Sequence, residues 1–136
     1  MPADDPRRVA ASIAMFVRLA EHWSLRGAEG ETLLGGISNS TWSEWRQHPA
    51  AARIKADTRE RIAELFTIDL TVHALFGAEF ADRWIREPNA ALGGESPLAR
   101  MLRGKVEDIN MVRRHLERVR TSLPLEVSEV LHRGGS

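Results

Sequence analysis

The chain contains no cysteine, which excludes disulfides and thiolate metal sites. It has no excess of charge of either sign, with 19 Lys and Arg against 19 Asp and Glu. A protein that coats nucleic acid or an anionic membrane gains affinity with each phosphate it neutralises. The even balance argues against such a coat and leaves room for a protein that reads a few base pairs. Long apolar runs are also missing, and none approaches the roughly 20 residues of a membrane span. The stretch RRVAASIAMFVRLA imitates a signal peptide. However, Asp4 and Asp5 occupy the place of its basic region, and Arg18 and Glu21 fall at helical spacing, as an amphipathic helix requires. A soluble, cytoplasmic protein without a membrane association is expected.

Catalytic signatures are absent as well. The sequence holds no HExxH, Walker or GxSxG pattern. His22, His48, His73, His115 and His132 are scattered without metal-ligand spacing and read as surface or core histidines. Neither an enzyme, a cofactor nor a metal site is expected. GGES, ending at Ser96, has the outline of an anion-binding loop before a helix, but a glycine pair ahead of a capped helix is commonly plain turn chemistry.

What remains is helical periodicity. No segment alternates with period two and there are no repeats, so the predicted fold is all-α. At 136 residues the chain makes one domain, or one with a small module attached, and is long enough to bury a core. Val9, Ile13, Phe16, Val17, Ala20 and Trp23 predict a helix over about 7–24, with Pro6 in its first turn. AEGETLL predicts a short second helix, weakened by Gly30. Ser38 is a good N-cap for SNSTWSEWRQH, which Pro49 ends. Asp57 with Glu60 resembles a capping box opening a long helix that Gly77 stops. Phe80, Trp84 and Ile85 predict one face of the next helix, closed by Pro88. Ser96-Pro97 restarts the chain, and Gly104 ends that helix. Ile109, Val112, Leu116, Val119 and Leu123 then form a seam of alternating 3 and 4 spacing, suited to lie along another helix.

Two stretches carry candidate sites. ETLLGGISNSTWSEWRQH has the outline of a helix-turn-helix. Trp42 and Trp45 would point inward, while Ser38, Asn39, Ser40, Ser43, Arg46 and Gln47 would face a major groove. Asn, Gln and Arg can form paired hydrogen bonds with base edges, each good pair being worth about 1–3 kcal/mol. Glu44 would repel phosphate, and a helical hairpin whose tryptophans are simply core explains the pattern equally well. The second stretch is REPNAALGGESP. Pro88 stops a helix, Gly93 and Gly94 permit a sharp path, and Asn89 is placed to bond neighbouring backbone above Trp84 as a core anchor. Beyond it, Arg113, Arg114, Arg118 and Arg120 flank Glu117. They read either as a solvated face with local ion pairs or as a helix engaging a partner. The apolar LEVSEVLH after Pro124 is expected to fold back or to bind something.

The order W…PN…GG.SPL..ML.G….V…L, running from Trp84 to Leu116, resembles the Xre/MbcA/ParS antitoxins, partners of RES-domain toxins in bacterial toxin–antitoxin pairs. RIAELFTIDLTVHALF resembles the linking helix of that family, and AEHWSLRGAEGETLLGGISNSTWSEWR its Xre-like DNA-binding part. The resemblance implies a helix-turn-helix part at 1–56, a linking helix at 57–77, a toxin-binding domain at 78–123 and a tail at 124–136. It further implies that Trp84, Asn89, Gly93, Gly94, Arg113, Arg114 and Arg118 serve toxin binding. The implied partners are a cognate RES-domain toxin that consumes NAD or transfers ADP-ribose, operator DNA for autorepression, and a second copy of the chain. Thr67 and Asp69 depart from the family pattern, which often has glycine and an aromatic residue there. A stand-alone helix-turn-helix regulator without a toxin, and a helical scaffold that never binds DNA, are the competing readings.

Overall fold

Asp5 accepts a hydrogen bond from the Arg7 amide at 2.9 Å, and Pro6 follows at a position where a missing N–H is harmless. Together they open α1, Pro6–His22, in a computed structural model that describes residues 5–122. The apolar tail read at 124–136 lies outside the described residues. Six α-helices and two 3-10 turns account for the regular structure of the described residues, without a strand. The molecule is all-α. No helix among the described residues is long and apolar enough to cross a membrane. The chain forms two compact units, Met1–Phe66 and Thr67–Ser136.

In the first unit, α1 buries Val9, Ile13, Phe16 and Leu19 on one face. Next come α2, Glu29–Leu33, and α3, Asn39–Gln47. Trp42 and Trp45 on α3 are both buried, and Trp42 meets the Phe16 ring edge to face at 5.4 Å. The Ser38 hydroxyl caps α3, accepting from the Thr41 amide at 3.1 Å. Ser38→Ala is expected to cost about 1 kcal/mol, read as a lower urea midpoint at unchanged slope.

The segment after α3 contains a 3-10 turn, Pro49–Ala51, that packs against α1. The long helix α4, Ala56–Trp84, then begins. Its start corrects the expected capping box. Asp57 lies inside the first turn rather than ahead of it, and its carboxylate takes a hydrogen bond from Arg61 Nε at 2.8 Å. Gly35 passes directly over this ion pair. A Cβ there would lie 3.3 Å from both Arg61 Nε and Asp57 Oδ2, and the residue's φ of +106° is one that L side chains rarely adopt.

The second unit holds the later part of α4, where Ile68 and Val72 face inward. The expected break at Gly77 is present as a kink with φ 80° and ψ 159°. His73 braces it. Its Nδ1 lies 3.2 Å from Asp69 Oδ1 before the kink, and its Nε2 lies 3.6 Å from Asp82 Oδ1 after it. Asp69, one of the two departures from the family pattern, is therefore a buried polar residue with a local partner. After the kink Ala81, Trp84 and Ile85 face the core at i, i+3 and i+4 spacing. Phe80, expected on that face, is 39% exposed, because one residue earlier is about 100° around the helix. The chain then makes a 3-10 turn, Ala90–Leu92, and two helices, α5, Pro97–Met101, and α6, Val106–Ser122. The α6 seam buries Ile109, Val112 and Leu116, and α6 packs on α5, which contributes Leu98 and Met101 to the core.

Candidate functional site

Around the connector between α4 and α5 the local chemistry is dense. Asn89 is its hub. The Asn89 amide donates to the Glu95 carbonyl at 3.0 Å, and its own carbonyl accepts from Leu92 N at 3.0 Å and Gly94 N at 2.9 Å. Its side-chain Oδ1 accepts from Ala91 N at 3.0 Å, capping the 3-10 turn. Gly93 and Gly94, at φ 71° and 90°, supply the reversal that lets the loop close on Asn89. Ser96 accepts from Ala99 N at 3.0 Å to cap α5, and Leu98 N donates to the Ile85 carbonyl at 2.9 Å, tying α5 to the chain that leaves α4. Glu95 forms ion pairs with Arg103 and, at 3.7 Å, with Arg100.

Beneath this loop lies an aromatic row. Trp84 is 8% exposed. Its indole is parallel to the His115 ring at 6.4 Å and lies 6.2 Å from Phe76, which itself meets Phe80 at 5.4 Å. His115 Nε2 lies 3.4 Å from Asn89 Nδ2, so the row reaches from Phe80 to the connector. Burial first, and the charge of Arg118 second, hold the His115 pKa below its ordinary 6.5. At the other end Phe80 faces solvent with the Arg83 guanidinium 5.4 Å above its ring. Phe80 and Leu70 are the large apolar residues exposed among the described residues.

Of the residues predicted for partner binding, the structure brings Trp84, Asn89, Gly93 and Gly94 into this one assembly. Arg113 is half-buried on α6, while Arg114 and Arg118 are exposed there, Arg118 acting on His115. His115, Phe76 and Phe80 are not read as site residues from sequence, where His115 counts as a surface or core histidine and Phe80 as part of a buried helix face. Nothing local to His115 in the sequence points to its partner 26 residues away.

In the first unit, Ser38, Asn39, Ser40, Arg46 and Gln47 are exposed and Ser43 is half-buried. Ser38 is engaged in its cap, and Gln47 Nε2 lies 3.4 Å from Ser43 Oγ. Arg46 sits over the Trp42 ring at 5.4 Å, which fixes the stem of the one cation on α3. Beside α3 a concavity of about 430 Å³ is lined by Gly35, Gly36, Thr41 and the exposed Arg53 and Lys55, among others.

Residues 71–121 match the family described as the antitoxin Xre/MbcA/ParS C-terminal toxin-binding domain. The match takes in the kink, the aromatic row, the connector and nearly all of α6. Over 117 residues the chain is also 38% identical to "Uncharacterized protein y4oB" of Sinorhizobium fredii (strain NBRC 101917 / NGR234), covering 85% of this chain and 89% of that one, and it belongs to the same family as that protein.

Proposed function

We propose that this chain is the antitoxin of a type II toxin–antitoxin pair, binding and sterically blocking a RES-domain toxin that consumes NAD. The match of residues 71–121 to the family described as an antitoxin toxin-binding domain is the observation that carries this reading. The family resemblance of the connector supports the RES class of partner. The blocking is steric, with no chemistry supplied by this chain. The docking face centres on Phe80 and Arg83 and extends along the aromatic row to the connector. An aromatic ring exposed beside an arginine that covers its face is the composition found where protein interfaces concentrate their energy. Arg114 and Arg118 extend the face with positive charge. The test is co-expression of the tagged chain with the product of its neighbouring gene, which should co-purify and lose its NAD-consuming activity in the complex. An unrelated neighbour, with nothing retained, overturns the reading.

The first unit of the proposed antitoxin binds operator DNA as a dimer, with α3 in the major groove, and so represses its own promoter. This rests on the exposure of Asn39, Arg46 and Gln47 opposite the buried Trp42 and Trp45. Arg46→Ala and Asn39→Ala are each expected to weaken a gel shift on the chain's own promoter by about 1–3 kcal/mol, roughly 5- to 160-fold. Equal shifts by both variants and the parent chain would remove α3 as the reading helix. The same exposed set also favours a second reading, a stand-alone transcriptional regulator. In that case the gel shift persists while no neighbouring product co-purifies.

A further inference from the structure

Asn89 organises the connector, and its side chain has a fixed orientation. The Oδ1 atom must be the one facing the Ala91 amide, because an N–H there needs an acceptor at 3.0 Å. The Nδ2 group is thereby turned toward His115 Nε2, at 3.4 Å. An amide nitrogen is a donor without an acceptor lone pair, so this contact is a hydrogen bond when Nε2 carries a lone pair and Nδ1 carries the ring proton. A second proton on the ring removes the lone pair and sets N–H against N–H.

We propose that His115 is a proton-operated clasp on the connector. Its neutral ring holds Asn89, and with it the Asn89–Glu95 loop, against α6, and its protonated ring lets that loop go. At 3.4 Å the bond is long and weak in itself. The sensitivity comes from the change of sign on protonation, when a mild attraction becomes a donor–donor clash in a half-buried site. The surroundings add to it. From α4 the ring faces the uncharged Trp84 indole, from the connector the uncharged Asn89 amide, and from its own helix the Arg118 guanidinium, which opposes a second positive charge. The His115 pKa is lowered relative to the unfolded chain. The stability contributed by the neutral ring is therefore fully present above about 6.5 and is lost as pH falls from there through the folded-state value.

The consequence for a partner rests on the reading above, that the connector belongs to the toxin-docking face. Loop and partner are therefore measured separately. In the free full chain, the Asn89 side-chain amide and the Gly93 and Gly94 backbone amides are followed by NMR from about pH 7.5 to about pH 5, with the His115 ring as internal reference. They are expected to shift together, at the midpoint of the His115 ring and below its ordinary value. In His115→Gln they are expected to stay flat, because the glutamine oxygen accepts from Asn89 at every pH. Connector signals that ignore the His115 midpoint in the parent chain, or that titrate equally in His115→Gln, overturn the clasp. In the second arm, the co-purified neighbouring product is expected to be released on acidification from the parent chain and retained by His115→Gln. A connector that titrates in a chain that captures no partner at any pH supports the clasp and overturns the docking reading alone.

Discussion

Trp84→Ala is expected to destabilise the second unit by about 3–5 kcal/mol, the range for removing a large aromatic side chain from a closed site. Trp84 is 8% exposed and touches both sides of its surroundings, with Phe76 along its own helix and the His115 ring on α6. Neither neighbour can collapse into the gap easily. Phe76 belongs to the turn just ahead of the Gly77 kink, and His115 is held toward Asn89. Urea unfolding measures the loss directly as a lower midpoint. Because the connector lies on this ring system, the variant should also lose the Gly93 and Gly94 amide signals characteristic of the closed loop. A cost below about 1 kcal/mol would mean that the row of rings is a bystander to the fold.

Phe80→Ala separates binding from folding. Phe80 is exposed, with the tilted Phe76 ring on one side and the Arg83 guanidinium over its face. Its removal is expected to change stability far less than loss of Trp84. Capture of the co-expressed partner should fall by about 2 kcal/mol or more, roughly thirtyfold in Kd, as for an aromatic residue at the centre of an interface. Calorimetric titration of the purified pair gives the number. Undiminished affinity in Phe80→Ala would move the proposed docking face elsewhere and leave the family match of residues 71–121 as it stands.

Elements were legible in this sequence where a single residue type enforces a local geometry. Ser38 and Ser96 cap the helices they were expected to cap, Pro6 and Pro97 occupy first turns, and Gly77 interrupts α4. Asn89 could be read as a loop organiser because asparagine bonds its own neighbouring backbone whatever the tertiary setting. Legibility ended where geometry depends on what comes back from a distance. Asp57 and Glu60 carry the spacing of a capping box. Even so, Arg61, four residues on, takes the Asp57 carboxylate, and the helix begins one residue earlier. Phe80 shares a four-residue spacing with Phe76 and Trp84, so a stripe drawn from sequence includes it, while the i, i+3, i+4 set that packs is Ala81, Trp84 and Ile85. His115 looked ordinary because its partners, Trp84 and Asn89, come from another helix and a loop. The two 3-10 turns went unread because three residues are too few to show a period.

The kink in α4 has an evolutionary consequence. With φ at 80° and ψ at 159°, position 77 occupies a backbone region essentially closed to every chiral amino acid. No neighbouring side chain can relieve that strain, since the penalty is internal to the residue itself, and only stability gained elsewhere can offset it. Sequence drift among descendants of this chain can rewrite the turns on either side, but not that one site while the bend is kept. A lineage that does lose the glycine should show the bend relocated or abolished, with the rings downstream re-aimed in step.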